Sequence, residues 1–174
     1  MALQGFTGFL NLPLAPGLRK SGLRSMSQSA AVAALRRVLG ASPGGRLLAL
    51  DVGSSKCGIA VSDPENKMAF PLTEFRRDRG MGVGVKALRD AALQHGTVAL
   101  VVGLPIDLKG KEGDASIGVR KYIRALQNVQ AQGTTRTPRG SKKAGEKLPF
   151  AKSSVVFWDE RFTTRLVNKR TYVY

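Results

Sequence analysis

Leu48-Ala49-Leu50-Asp51-Val52-Gly53-Ser54-Ser55-Lys56-Cys57-Gly58-Ile59-Ala60-Val61 is the stretch on which the fold turns. Two apolar runs, Leu47 to Leu50 and Cys57 to Val61, flank the turn residues Gly53-Ser54-Ser55-Lys56, which predicts two antiparallel strands with an acid at the mouth of the first. A Gly turn directly after that acid lets a phosphate approach the backbone, and an acid so placed is able to hold Mg²⁺. Asp-x-Gly is also a common turn, so both readings stand on this segment alone.

Downstream, Phe70 to Phe75 predicts a third strand after the Asp63-Pro64-Glu65-Asn66 turn. Val83, Ala87, Leu88, Ala91 and Ala92 recur at helical spacing up to His95-Gly96, where Gly is a usual stop. Thr97 to Gly103 is a short Val-rich run, which predicts a central parallel strand buried on both faces. A second helix is expected from Ala115 to about Gln130, with Ile117, Tyr122, Ile123, Leu126 and Val129 as its apolar face, and a last strand from Val155 to Trp158. The order strand-strand-strand-helix-strand-helix-strand predicts an α/β fold, a ribonuclease-H-like mixed sheet with flanking helices.

The 174 residues allow one ordinary domain plus extra segments. No run of about 18 uncharged apolar residues is present, which excludes a membrane-spanning helix. Cys57 is the only cysteine, so neither an intramolecular disulfide nor a zinc site on paired Cys-x-x-Cys motifs can form; it reads as a core filler. With 28 Lys and Arg against 12 Asp and Glu, the net charge of +16 draws polyanions by counterion release.

That charge is uneven. Residues 1–50 hold no acid but carry Arg19, Lys20, Arg24, Arg36, Arg37 and Arg46, a Ser cluster and an amphipathic stretch from Ala30 to Leu39. Residues 1–43 are therefore expected to be a basic targeting segment, disordered or cleaved, addressing the chain to a plastid or mitochondrion; the competing reading is a basic arm that stays on and touches nucleic acid. Residues 44–174 are expected to form the domain, interrupted at 131–152 by a basic insertion with Arg136, Arg139, Lys142, Lys143, Lys147 and Lys152 against one acid, Glu146. The insertion reads either as a solvated loop or as a polybasic arm on a phosphate backbone.

Two further motifs bear on chemistry. Val101-Val102-Gly103-Leu104-Pro105 leads into a loop with Lys109, Gly110, Lys111, Glu112 and Gly113, and loops at the carboxyl ends of strands carry function in open α/β sheets. Alone it is no more than a tight exit turn. Trp158-Asp159-Glu160-Arg161-Phe162-Thr163-Thr164 leaves two carboxylates and a guanidinium just past a strand. Strand neighbours point to opposite faces, so one acid is expected to join Asp51 while the other pairs with Arg161; a surface ion pair with a Thr163 helix cap is the plainer alternative.

Taken in this order, the three segments resemble the YqgF family, Holliday-junction-resolvase-like proteins also described as pre-16S ribosomal RNA nucleases. The resemblance spans about Arg46 to Thr164. It implies a ribonuclease-H-like fold and hydrolysis of phosphodiester bonds in structured nucleic acid with Mg²⁺ or Mn²⁺, in 5′-end maturation of small-subunit rRNA and ribosome biogenesis. Asp51 matches the family's first-strand catalytic acid, and Glu160 and Asp159 match its Asp-Glu-Arg acids, with Glu160 preferred beside Asp51 as metal ligand. Two ions about 4 Å apart clamped by shared carboxylates, with Asp51 bridging, would suit that chemistry. Lys56, Lys109, Lys111, Arg161, Lys142 and Lys143 are the candidate nucleic-acid contacts, with an ordinary solvated surface charge as the plainer reading of any one of them. RNA, as pre-rRNA, is the expected partner, with a DNA junction as the alternative.

Two features depart from the family pattern. No Asp or Glu follows Glu160, so the acid expected on a C-terminal helix is missing, and the tail lacks an apolar stripe. The C-terminal helices are expected to be truncated, leaving one face of the sheet bare. A catalytically inactive RNA- or DNA-binding module derived from the same fold is therefore the main rival, alongside a DNA-junction resolvase. An actin-like or sugar-kinase ATPase, for which Asp51-x-Gly53 to Gly58 would be the phosphate loop, needs two such lobes, and the chain supplies one.

Overall fold

The computed structural model describes residues 28–132, 150 and 154–160. A helix, α1 (Gln28–Gly40), precedes three antiparallel strands, β1 (Arg46–Val52), β2 (Lys56–Ser62) and β3 (Ala69–Arg76). A 3₁₀ turn (Arg77–Arg79) leads into α2 (Met81–His95), then β4 (Thr97–Leu104), α3 (Asp114–Gln132) and β5 (Val155–Asp159). The strands form one five-stranded sheet in the order β3-β2-β1-β4-β5, with β1, β4 and β5 mutually parallel.

The expected strands and helices are all present. α2 stops at Gly96 in the left-handed conformation (φ 60°), whose N–H caps Ala92 O. The apolar faces sit slightly off the expected ones. On α3 the buried set is Val119, Tyr122, Ile123 and Leu126, while Ile117 is exposed; on α2 Val85 is buried and Val83 exposed. Several apolar residues fit a 3.6-residue period at each helix start, and only packing decides between them. Gly84 brings α2 close to its neighbours, since a Cβ there would meet Phe75 and the Tyr122 hydroxyl at 3.0 Å.

Strand alternation divides the core into two layers. Leu48, Leu50, Ile59, Val61, Leu100, Val102 and Leu104 pack beneath α2 and α3. Leu47, Ala49, Ala60, Ala99, Val101, Val156 and Trp158 face the other way, against Ala31 and Leu35 of α1. The alanines among them let the helix lie close to the sheet.

The structure bears on three expectations. The amphipathic stretch within the segment expected to be a targeting leader packs on the sheet as part of α1, with Ala31 and Leu35 1% and 4% exposed. The second face of the sheet is not bare: α1 covers it. The basic insertion lies mainly outside the described residues, but Ala131 and Gln132 belong to α3 and Phe150 is buried in the core beneath α2 and α3. Arg161, Lys142 and Lys143 also lie outside the described residues. Among the described residues no helix is long and apolar enough to cross a membrane.

Candidate active site

β1, β4 and β5 run parallel, so their carboxyl ends share one edge of the sheet. Asp51 lies at the end of β1, Gly103 and Leu104 end β4, and Asp159 ends β5 with Glu160 directly after it. Parity then sets the faces. Asp51 continues the Leu47-Ala49 row, Gly103 the Ala99-Val101 row and Glu160 the Val156-Trp158 row, so all three fall on the α1 side. Asp159 falls in the row of Val155 and Phe157, toward α2 and α3. The Glu160 N–H donates to Leu104 O at 3.2 Å, extending the β4–β5 ladder one residue beyond the strand.

The absent side chain of Gly103 gives Glu160 its place. A Cβ built on Gly103 would overlap Glu160 Oε1 and come within 2.5 Å of its Cδ. The Glu160 carboxylate therefore lies directly over the β4 backbone. Burial pushes its pKa up to about 7, and the negative charges of Asp51 and Asp159 add to that rise. Burial also raises the pKa of Asp51 above the ordinary carboxylate value. Two carboxylates held together in a half-buried place are hard oxygen donors of the kind Mg²⁺ takes, usually one or two per ion with water completing the shell. The donor chemistry thus fits a divalent cation. Among the described residues there is no group of three or more His, Cys, Asp or Glu able to hold one.

The turn after Asp51 is held from outside. Arg77 Nη1 donates to Gly53 O at 2.7 Å and to Ser54 O at 3.4 Å, and the Arg77 N–H donates to Ser55 O at 2.9 Å. The guanidinium also stacks 4.4 Å above the Tyr122 ring, coupling the turn to α3. Cys57 is fully buried and its thiol is pushed up to about 11 by burial, as expected of a core filler.

The β4–α3 loop is similarly fixed. Asp107 Oδ1 accepts the N–H of Lys109 at 2.9 Å and of Lys111 at 2.8 Å. Glu112 receives two bonds from Arg120, at 2.7 and 2.6 Å, and Arg120 in turn stacks 4.4 Å over Phe157 of β5. Ser116 Oγ donates to Pro105 O. Lys109 and Lys111 thus stand exposed on an ordered loop at the carboxyl end of β4. Lys56 is placed differently from expectation: its ammonium pairs with Glu74 of β3, although both remain more than half exposed.

The structure therefore brings Asp51 and Glu160 together, with Asp159 close enough to act on Glu160 but on the opposite parity. Sequence reasoning missed Gly103 as the cradle for Glu160, and Arg77 and Arg120 as braces. The signal for Gly103 was present, since a Gly closing a strand beside an acid-bearing strand is more than a turn; the braces depend on tertiary contacts with no local mark.

A five-stranded mixed sheet with this strand order, helices on both faces and acids at the carboxyl ends of β1 and β5 defines a ribonuclease-H-like domain. Residues 45–173 match the family described as "RuvX: Holliday junction resolvase", and the chain belongs to that family. It is similar to a protein of Rhodospirillum centenum named "Putative pre-16S rRNA nuclease", with 33% identity over 126 residues, which is 72% of this chain and 57% of that one. A protein of the same name from Moorella thermoacetica is 39% identical over 119 residues, covering 68% of this chain and 69% of its own. The chain thus spans a little over half the length of the first relative and about two thirds of the second. Among solved structures, Archaeoglobus fulgidus Pelota is matched over 80% of this chain and 36% of its own, with 12% identity and a TM-score of 0.39, too distant to carry any argument.

Proposed function

We propose that this chain is a nuclease that hydrolyses phosphodiester bonds of structured RNA, acting in 5′-end maturation of small-subunit (16S-type) rRNA and so in ribosome biogenesis. The observation that carries the reading is the Glu160 carboxylate laid over Gly103 beside Asp51. The similarity to relatives named as pre-16S rRNA nucleases supports the choice of substrate.

In this reading Asp51 and Glu160 hold a divalent cation, Mg²⁺ or Mn²⁺, which when bound neutralises phosphate charge and makes water a better nucleophile near neutral pH. β1 and β5 are both bound to β4, which fixes the strand ends that carry Asp51 and Glu160, and the missing side chain of Gly103 leaves room for the Glu160 carboxylate over β4. Arg77 holds the Gly53–Ser55 turn still as a phosphate approaches. Lys109 and Lys111, exposed on their braced loop, give the backbone of the nucleic acid a positive face without reading its sequence. Localisation in a plastid or mitochondrion is part of the proposal, with any leader removed upstream of Gln28, since α1 belongs to the packed domain.

A binding module without turnover is the second reading, favoured by the acid count among the described residues. One experiment separates them: incubation of the full chain with labelled precursor 16S-type RNA and with a four-way DNA junction, with and without Mg²⁺ or Mn²⁺, beside Asp51→Asn and Glu160→Gln. Metal-dependent cutting lost in both variants, with binding kept, is the expected result, and preference for RNA identifies the substrate. Binding without cutting in a folded wild-type protein overturns the nuclease reading, and preference for the junction overturns the choice of RNA.

A further inference from the structure

Three strands set one row across the sheet on the side of Asp51. Strand register places Asp51 of β1 opposite Gly58 of β2, and Gly58 opposite Glu74 of β3. Directly opposed residues present their side chains to the same face. The middle member has none, so two acids stand on either side of a gap one residue wide. Over this gap opens a cavity of about 430 Å³, roofed by the Gly53–Ser55 turn and walled by Pro71 to Glu74 of β3. β3 is the edge of the sheet, so the cavity is open to a strand approaching from that side.

We infer that this cavity is a preformed subsite for a single nucleotide of the substrate strand, the one adjoining the bond that Asp51 acts on; the inference rests on the nuclease reading. Volume is the first ground. Pockets for small ligands run from ~300 to ~1,000 Å³, and the cavity is of a size to take one nucleotide. Chemistry is the second. A bare anion would meet Asp51 on one side and Glu74 on the other, whereas a sugar and base present apolar faces and polar edges together. The walls match that mixture: Pro71 offers an apolar surface, Ser54 and Ser55 offer hydroxyls, and the Lys56–Glu74 pair offers a donor and an acceptor side by side. Position is the third. Asp51 is shared between the cavity and the carboxylate pair, so a nucleotide seated here carries its phosphate to the place where the chemistry is proposed. Preorganisation is the fourth, because Arg77 already fixes the roof through three bonds to Gly53, Ser54 and Ser55, and little ordering remains on binding.

The test uses the full chain and nucleoside 5′-monophosphates, followed by amide NMR, with inorganic phosphate as the comparison. Saturable shifts at residues 53–56 and 71–74 with the mononucleotides, at least tenfold tighter than with phosphate, are expected. Two variants fill the cavity from different sides: Gly58→Val, in the middle of the row, and Glu74→Trp, in the same row on the exposed edge strand, where folding is least at risk. Each is expected to weaken mononucleotide binding at least tenfold. Shifts located elsewhere, no shifts, equal response to phosphate alone, or unchanged binding in folded variants would overturn the subsite. Cleavage distinguishes this from the parent reading. Wild-type cutting that Glu74→Trp leaves unchanged overturns the subsite and spares the nuclease, while nucleotide binding at the cavity in a protein that cuts nothing supports the site and overturns the nuclease.

Discussion

Gly103→Ala is the substitution that most directly tests the assembled site. Its new Cβ would overlap Glu160 Oε1 and stand 2.5 Å from Cδ, where ordinary contacts begin near 3.4 Å. The carboxylate must therefore move by about 1 Å, and misplacement on that scale costs roughly a hundredfold in rate, or about 2.7 kcal/mol of transition-state stabilisation. The backbone at Gly103 is not among those of positive φ, so Ala is accommodated without strain, and restricting the unfolded chain adds about 0.4–1 kcal/mol of stability once Glu160 has swung aside. The expected signature is a pair of opposite effects: RNA cleavage down about a hundredfold, with a urea midpoint equal to or above wild type. A double-mutant cycle sharpens it. Glu160→Asp shortens the side chain by one methylene and withdraws the carboxylate from the new Cβ, so Gly103→Ala should cost much less in that background. Additive effects of the two substitutions, or a Gly103→Ala protein cutting within threefold of wild type, would refute the cradle.

Leu35→Ala, in the helix that sequence reading assigned to a leader, should cost about 2–5 kcal/mol in urea unfolding, because Leu35 is 4% exposed against the sheet; a change below about 0.5 kcal/mol would return α1 to a dispensable segment. Arg77→Ala should speed amide exchange in the 53–55 turn by about ten- to a hundredfold, from hydrogen bonds by a charged group, and lower kcat with little change in KM. Arg120→Leu should flatten the acid limb of the stability curve. The Arg120 hydrogen bonds hold the Glu112 carboxyl below its usual 4.5, so its contribution is complete above that value and is lost as the pH falls through the lower folded-state pKa. Comparing urea midpoints at pH 7 and pH 3 in both proteins checks the sign, since wild type should lose more than the variant on acidification.

Much of the sheet was legible because strand and helix periods in this chain are clean. The Leu47–Val61 hairpin, the Val-rich β4 and the His95-Gly96 stop carry their structures in local chemistry. Alternation also requires that only one of the neighbours Asp159 and Glu160 share a face with Asp51, but it does not say which; the strand rows of β5 do. What stayed hidden was set by contacts between distant segments. The stretch from Ala30 to Leu39 is amphipathic whether it addresses an organelle or covers a sheet, and its pattern does not name its partner; the pairing with Ala49, Ala60 and Ala99 does. Lys56 read as a free phosphate ligand because Glu74, eighteen residues on, becomes its neighbour only through β2–β3 register.

The choice between a common turn and a reaction centre at Asp51 rests finally on what the sheet forgoes. Along the α1 face the strands carry apolar or small residues, Leu47, Ala49, Ala60, Ala99, Val101, Val156 and Trp158, and continuing that rule to the carboxyl edge would stabilise the domain. At the edge the rule is broken four times within one neighbourhood. Acids stand at Asp51 and Glu160, where burial raises the pKa of both and mutual repulsion adds to the rise at Glu160, and glycines stand at Gly58 and Gly103, where strand interiors gain nothing from them. A turn needs none of this beyond Gly53. Each glycine adjoins one of the acids, and Gly103 is the one that leaves room for the Glu160 carboxylate over β4. Departures from packing that are independent in sequence yet converge on one point are what the proposed site at Asp51 and Glu160 calls for, and what a turn alone does not.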